Sequence, residues 1–277
     1  MNPSEIKKVL NELGGGANKR LGQHFLIDQA ALAAIVEQAP VHPGAIVLEI
    51  GPGLGVLTKA LLAKGCDVVA IERDGRFVEY LNSSTTPPLD SRGGARGGVI
   101  IVRGDAAELD WMTVVGDREW SLVSNLPYSI SSFALRMALW SPRPAEKVVV
   151  LVQREVAERA IAKDGKHSLL SLMVAFASSS SRIVRRVPPG AFFPPPKVES
   201  AVLEIESMPL PERVEKWGMD PQRMMDIAKK GFAHPRKFLS SNLEISQGVL
   251  ASVQIAPKAR AENLSPEDWA RLAKALK

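Results

Sequence analysis

The chain alternates short β-branched apolar runs with stretches of helical periodicity, and this alternation restricts its fold more than any other feature. Ile46 to Ile50 reads as a strand, Leu54 to Lys64 as a helix closed by Gly65, and Val68 to Ile71 as the next strand. Phe77 to Leu81 suits a helix and Val99 to Val102 a strand. Leu122 to Ser124 suits a strand, Ser132 to Leu139 a helix, and Val148 to Val152 a strand. Repeated strand–helix units of this length predict a parallel sheet covered on both faces. Glu155 to Ala162 and Leu169 to Ala177 follow as helices, then Ile183 to Val187 and Ala201 to Ile205 as strands. Only Pro188 to Val198 separates the last two, too little for a crossover helix, so they are expected to be antiparallel neighbours.

Ahead of this core, Ile6 to Leu13 has helical character and ends at Gly14-Gly15-Gly16. Asp28 is a suitable N-cap for a helix with the apolar face Leu32, Ile35, Val36 and Ala39. Ser83 to Gly98 is low in complexity and is expected to be a mobile loop, with Arg92 and Arg96 as candidate RNA contacts. Past Glu206 two prolines fall between Met208 and Met219, and helical patterns follow at Met224 to Phe232 and Trp269 to Leu276. The expected organisation is a large domain over 1–206, a linker over 207–219 and a small all-α domain over 220–277, sizes that a chain of 277 residues accommodates.

The single cysteine, Cys66, excludes an intramolecular disulfide framework and fits a reducing compartment. No apolar run reaches the length of a membrane span. Met1 to Leu13 carries Glu5 and Glu12 and lacks an apolar signal region, so a cytoplasmic protein is expected. His24, His42, His167 and His234 are scattered without partners at ligand spacing, so no metal site is expected. Net charge is +5, and its placement says more than its size. Arg182, Arg185, Arg186 and Lys197 form one acid-free cluster, and Lys229, Lys230, Arg236 and Lys237 form a second. Both are candidate nucleic-acid contacts.

Leu48-Glu49-Ile50-Gly51-Pro52-Gly53-Leu54-Gly55 joins a strand to a helix, where glycines let a ligand approach the backbone. Val56 breaks the dinucleotide fingerprint Gly-x-Gly-x-x-Gly, and no Gly-Lys-Ser/Thr follows for a nucleotide phosphate. The next strand ends at Glu72, 21 residues beyond Gly51, where an acid can accept ribose hydroxyls. The third strand leads to Gly104-Asp105-Ala106, and Asp105 suits an adenine amine. Gly, Glu and Asp at three successive strand ends favour S-adenosylmethionine over NAD.

Asn125-Leu126-Pro127-Tyr128 follows the strand Leu122 to Ser124. The side-chain oxygen of Asn125 and the carbonyl of Leu126 can accept two amine hydrogens, and Pro127 restricts Leu126 to extended geometry. Tyr128 can stack on a base, with Phe192 or Phe193 as a second aromatic. That set of groups suits methyl transfer to an exocyclic adenine amine; a turn after a strand is the plainer alternative.

These residues resemble the ribosomal RNA small-subunit adenine N6,N6-dimethyltransferases. The resemblance runs through Lys19-Arg20-Leu21-Gly22-Gln23-His24-Phe25-Leu26, the Glu49 to Gly55 loop, Asn125 to Ser131, Gln153-Arg154-Glu155-Val156, Pro188 to Ala201 and Arg260-Ala261-Glu262-Asn263-Leu264-Ser265. It implies a Rossmann-like S-adenosylmethionine-dependent methyltransferase sheet with an antiparallel strand near one edge. It also implies dimethylation of two adjacent adenines near the 3′ end of small-subunit (16S) rRNA in a pre-assembled 30S particle; separately, a monomer is expected. Gln23, His24, Leu26, Gly51, Gly53, Glu72, Arg73, Asp105, Ala106 and Asn125 would then surround the donor, and Phe192 rather than Phe193 would be the second stacking aromatic. His24 stands where Asn is more usual, and His234 to Leu243 carries fewer arginines than the family's basic helix. A large-subunit rRNA adenine dimethylase and an assembly or transcription factor that keeps the fold without activity are the alternatives.

Overall fold

A computed structural model describes residues 1–17, 22–40, 46–85, 98–162 and 166–276. Lys19, Arg20, Leu21, His42, Arg92 and Arg96 lie outside the described residues. The strands in chain order are β1 (Phe25–Leu26), β2 (Ile46–Ile50), β3 (Asp67–Glu72), β4 (Val99–Arg103), β5 (Trp120–Asn125), β6 (Lys147–Gln153), β7 (Ser178–Val187), β8 (Phe192–Phe193) and β9 (Ser200–Ser207). Seven of them form one sheet in the order β4-β3-β2-β5-β6-β9-β7. The pairs β2–β3, β3–β4, β2–β5 and β5–β6 are parallel, as the alternation predicts.

β9 lies between β6 and β7. Met208 N–H donates to Ala177 C=O, Ser179 Oγ to Glu206 C=O, and Arg182 pairs with Glu204 at 2.5 Å. One residue number falls as its partner's rises, the mark of an antiparallel pair. The expected neighbours are therefore present.

The feature that positions the site is the change of direction between β2 and β5. From β2 the chain builds outward through β3 and β4, then returns to β2's other edge with β5 and continues to β6 and beyond. Ligands of open α/β sheets bind in the crevice outside the carboxyl ends of the strands at such a switch. The β2–β5 ladder runs from Ile46↔Trp120 to Leu48↔Leu122. Beyond it the Ser124 hydroxyl takes over, donating to Ile50 C=O at 2.7 Å and accepting from Ile50 N–H at 3.3 Å. The backbone polar groups stay satisfied while the strands part.

All five residues of β2 are buried. The helices Gln29–Gln38 and Val56–Ala63 pack Ala31, Ile35, Leu57 and Leu61 onto Val47, Val68 and Val149 of the sheet. Asp28 caps the first of these helices, accepting from Ala30 N–H and Ala31 N–H as its sequence position predicts.

Two compact units emerge: Met1–Ala157 with Arg182–Ile205, and Glu158–Ser181 with Glu206–Lys277. One cut falls between Ile205 and Glu206, and Glu158–Ser181, expected in the large domain, belongs to the second unit, where the helix Leu169–Ala177 packs with the C-terminal helices. Phe176 meets Trp217 edge-on at 5.5 Å, and its carbonyl accepts from the Trp217 indole at 3.1 Å. The expected linker 207–219 is corrected too: Leu210–Trp217 is a helix that buries Arg213 and Trp217. Within the same unit Pro221–Gly231 and Pro266–Ala275 are helices.

Candidate active site

The glycine loop between β2 and the helix Val56–Ala63 is held in conformations that exclude most side chains. Gly51 has φ +67°, and a Cβ there would lie 3.2 Å from Pro127 Cγ. Gly53 has φ +56°, and a Cβ there would lie 3.1 Å from the Phe25 ring. Left-handed backbone without a side chain lets the loop turn tightly against two other site segments. The donor-side loop thus rests directly on the proline of the Asn125 to Tyr128 motif.

A cavity of about 170 Å³ opens at this point, walled by the carboxyl ends of β2, β3 and β5 and by the segment around β1. Gln23, His24, Leu26, Gly51, Gly53, Glu72, Arg73, Asp105, Ala106, Asn125, Leu126, Pro127 and Tyr128 all line it. These positions were selected from sequence, and the fold gathers them into one chamber.

Glu72 ends β3 with its carboxylate buried, 6% exposed. Burial raises its pKa, while hydrogen bonds from the backbone oppose the rise. Asp74 N–H donates at 2.8 Å to Oε1 and Gly53 N–H at 3.0 Å to Oε2. These bonds fix the carboxylate orientation and join β3 to the glycine loop. Asp105 accepts from Ala107 N–H at 2.9 Å and pairs with exposed Arg73 at 3.0 Å. The Ala106 carbonyl is anchored by the buried Trp111 indole at 2.8 Å. Gln23 reaches Asp74 at 3.1 Å. The Arg76 guanidinium beside Asp74 holds that carboxyl below its usual range.

On the acceptor side, Asn125 ends β5, and its Nδ2 donates to the His24 main-chain carbonyl at 3.3 Å. That bond turns the amide so that Oδ1 is the end left to accept from a ligand. Leu126 N–H is anchored to Leu151 C=O of β6 at 3.1 Å. Pro127 begins a single 3-10 turn, Tyr128–Ile130, that leads into the helix Ser131–Trp140. The Tyr128 hydroxyl shares a 2.7 Å hydrogen bond with Ser200 Oγ, and burial raises its pKa. One face of its ring carries the His24 imidazole, with centroids 5.9 Å apart at 27°.

Phe192, expected as the second stacking aromatic, does not line this cavity. It is 2% exposed, pairs with Leu26 in the β1–β8 ladder, and belongs to the main hydrophobic core rather than the cavity wall. Phe193 is half-buried among Ile6, Leu10 and Phe25, beneath the Lys7 ammonium at 5.4 Å. Strand alternation sends the two phenylalanines to opposite sides, and neither lines the cavity.

Glu49, Phe77 and Ile130 line the cavity without having been singled out as ligands. Glu49 is buried, accepts from Thr58 Oγ1 at 2.7 Å, and is pushed up to about 8 by burial. Its signal was an acid inside an otherwise apolar strand. Phe77 stands three residues after the N-cap Asp74, on the inward side of that helix's first turn.

The basic residues divide between the units. Arg182 is tied to Glu204 and to Gln38, and Arg182, Arg185, Arg186 and Lys197 are all exposed. In the helical unit Lys229 pairs with Asp226 at 2.9 Å, and Lys230, Arg236 and Lys237 are exposed.

The sequence profile of ribosomal RNA adenine dimethylases matches residues 15–277. The chain belongs to the ribosomal RNA adenine dimethylase family. It is 37% identical over 278 residues to ribosomal RNA small subunit methyltransferase A of Dehalococcoides mccartyi (strain CBDB1), covering 97% of this chain and 91% of that protein. The protein of the same name from Thermosynechococcus vestitus is 38% identical over 274 residues, covering 94% and 97%. In fold, the chain is similar to a dimethyladenosine transferase from Plasmodium falciparum, at a TM-score of 0.73 and 23% identity, covering 90% and 96% of the two chains. It is also similar to the 23S rRNA methyltransferase ErmE, at a TM-score of 0.67 and 22% identity, covering 91% and 99%.

The family's enzymes are methyltransferases that use S-adenosylmethionine, and the residues in this cavity fit that donor. Gly51 and Gly53 bring backbone without side chains to the cavity wall, and Glu72 and Asp105 present carboxylates after successive strands. Carboxylates so placed match the hydroxyls and amine of a nucleoside.

Proposed function

We propose that this chain dimethylates the N6 amines of two adjacent adenines near the 3′ end of small-subunit rRNA, acting as a cytoplasmic monomer on an assembling 30S particle. Two relatives of nearly full-length similarity carry the small subunit in their names, which supports that target over the large subunit. Among the described residues no helix is long and apolar enough to cross a membrane. The exposed Arg185, Arg186, Lys197, Lys230, Arg236 and Lys237 offer cations to RNA phosphates.

Bound S-adenosylmethionine supplies an electrophilic methyl group on a sulfonium sulfur. Gly51, Gly53, Glu72 and Asp105 would hold the donor, with Gln23, Leu26, Arg73 and Ala106 completing its walls. Asn125 Oδ1 and the Leu126 carbonyl would accept the two hydrogens of the adenine amine. Accepting both favours a pyramidal nitrogen whose lone pair is free of the ring, so catalysis is chiefly orientation and electrostatics. Tyr128 would hold the unstacked base by its ring face, with the phenol fixed through Ser200. No strong general base is needed, because the nitrogen becomes acidic once methylated and its proton passes to solvent.

The observation that carries the reading is the shared wall. A Cβ on Gly51 of the donor loop would stand 3.2 Å from Pro127 Cγ of the acceptor motif, so the two segments pack side by side, while His24 C=O accepts from the Asn125 amide at 3.3 Å. Asn125→Ala should lower methyl transfer to rRNA by about 10²–10³ while leaving donor binding measurable by calorimetry. Full transfer activity in that variant would overturn the acceptor assignment.

A further inference from the structure

His24, expected beside the donor, also places its ring on the acceptor side, where the proposed acceptor chemistry gives it no part. His24 is half-buried at the cavity wall and stacks on Tyr128, with centroids 5.9 Å apart at 27°. Its Nδ1 lies 2.8 Å from Pro194 C=O. A carbonyl oxygen only accepts, so Nδ1 carries the hydrogen. Tyr128 cannot easily turn away, because its hydroxyl is bonded to Ser200. Ring centroids about 4.5–7 Å apart mark direct aromatic contact, with no base between the rings. At 5.9 Å the pair leaves no room for one.

We propose that the His24 imidazole is a placeholder on the acceptor face of Tyr128, displaced by the flipped adenine. The inference rests on the reading of Tyr128 as the aromatic that receives the base. Entry of the base exchanges an imidazole stack for a purine stack and breaks the Nδ1–Pro194 hydrogen bond. The slot therefore stays closed until an unstacked base with a larger π surface competes for Tyr128. The anchor of Asn125 is separate, since it uses the His24 main-chain carbonyl. Side-chain substitutions at position 24 thus free the Tyr128 face without releasing the Asn125 amide. The Pro194 turn follows β8, whose register Phe25↔Phe193 and Leu26↔Phe192 ties it to β1. Loss of the imidazole bond then loosens the turn without removing its attachment.

The test uses the full chain and small subunits reconstituted with rRNA carrying 2-aminopurine at a target position, whose fluorescence rises when the base unstacks. His24→Ala should increase the flipped fraction and lower the KM for the particle, each by about three- to tenfold. His24→Asn, which also removes the ring, carries the same expectation and serves if the alanine variant does not fold. An unchanged or smaller flipped fraction in a folded ring-deleted variant overturns the placeholder. Tyr128→Ala separates the two readings. If it abolishes the signal while ring deletion at 24 adds nothing, only the placeholder fails. If Tyr128→Ala leaves flipping unchanged, the base-stacking role of Tyr128 fails, and the placeholder with it.

Discussion

Gly51→Ala tests whether the donor loop and the acceptor motif form one rigid wall. Gly51 sits at φ +67°, where an L side chain costs about 1–2 kcal/mol. The new methyl would also stand 3.2 Å from Pro127 Cγ, tighter than ordinary packing, and relieving such a contact adds roughly 1 kcal/mol. Together these give about 2–3 kcal/mol. If the loop keeps its shape, the strain is global, and the melting temperature falls by about 4–12 °C for a chain of this size. If the loop yields, the strain appears at the site, and donor affinity weakens by about 30- to 150-fold. Scanning calorimetry and isothermal titration with S-adenosylmethionine read the two outcomes on the same sample. Pro127→Ala removes the atoms that the new methyl meets, so the double variant should recover roughly 1 kcal/mol relative to additivity. A Gly51→Ala protein with wild-type melting temperature and donor affinity would refute the shared wall.

Further perturbations probe the acids, the loop support and the basic surface. Glu49 keeps its proton up to about pH 8 in the folded chain, whereas the unfolded chain releases it near 4.5. Unfolding therefore releases a proton between those values, and stability falls as pH rises, by at most about 1.4 kcal/mol per pH unit. Glu49→Gln should flatten the melting-temperature profile between pH 5 and 9; identical profiles would contradict this. Trp111→Phe strands the Ala106 carbonyl and should cost about 1–2 kcal/mol in thermal unfolding, with weaker donor binding; a neutral outcome would show that the Asp105 loop does not depend on that bond. Neutralising Lys229, Lys230, Arg236 and Lys237 together should make the salt dependence of particle binding shallower, by about 0.7–0.9 per lost phosphate contact. Lys229 already shares its charge with Asp226, so the loss should approach three contacts. An unchanged slope would return these residues to a solvated face.

The sheet was legible because buried parallel strands leave apolar runs that helices separate at regular intervals. The cavity wall was legible because Gly51, Glu72 and Asp105 stand at or just beyond the ends of three successive strands. What escaped did so for local reasons. The prolines that suggested a linker, Pro209 and Pro211, are the N-cap and first turn of the helix Leu210–Trp217, where a missing N–H costs nothing. Gly218 at φ +64° closes that helix. Two-residue strands such as β1 and β8 have no periodicity to detect, so the burial of Phe192 was invisible without its partner Leu26. The His24–Tyr128 stack joins residues far apart in the chain through side-chain geometry that no spacing encodes.

The central claim is that the joined cavity transfers methyl groups to adenine N6 in small-subunit rRNA. It is tested most directly by incubating the full chain with methyl-labelled S-adenosylmethionine and undermethylated small subunits, then digesting the rRNA to nucleosides. Label should appear as N6,N6-dimethyladenosine at two adjacent positions near the 3′ end, and be lost with Asn125→Ala. Particle binding without labelled dimethyladenosine would contradict the account and leave the chain a binding factor with a methyltransferase fold.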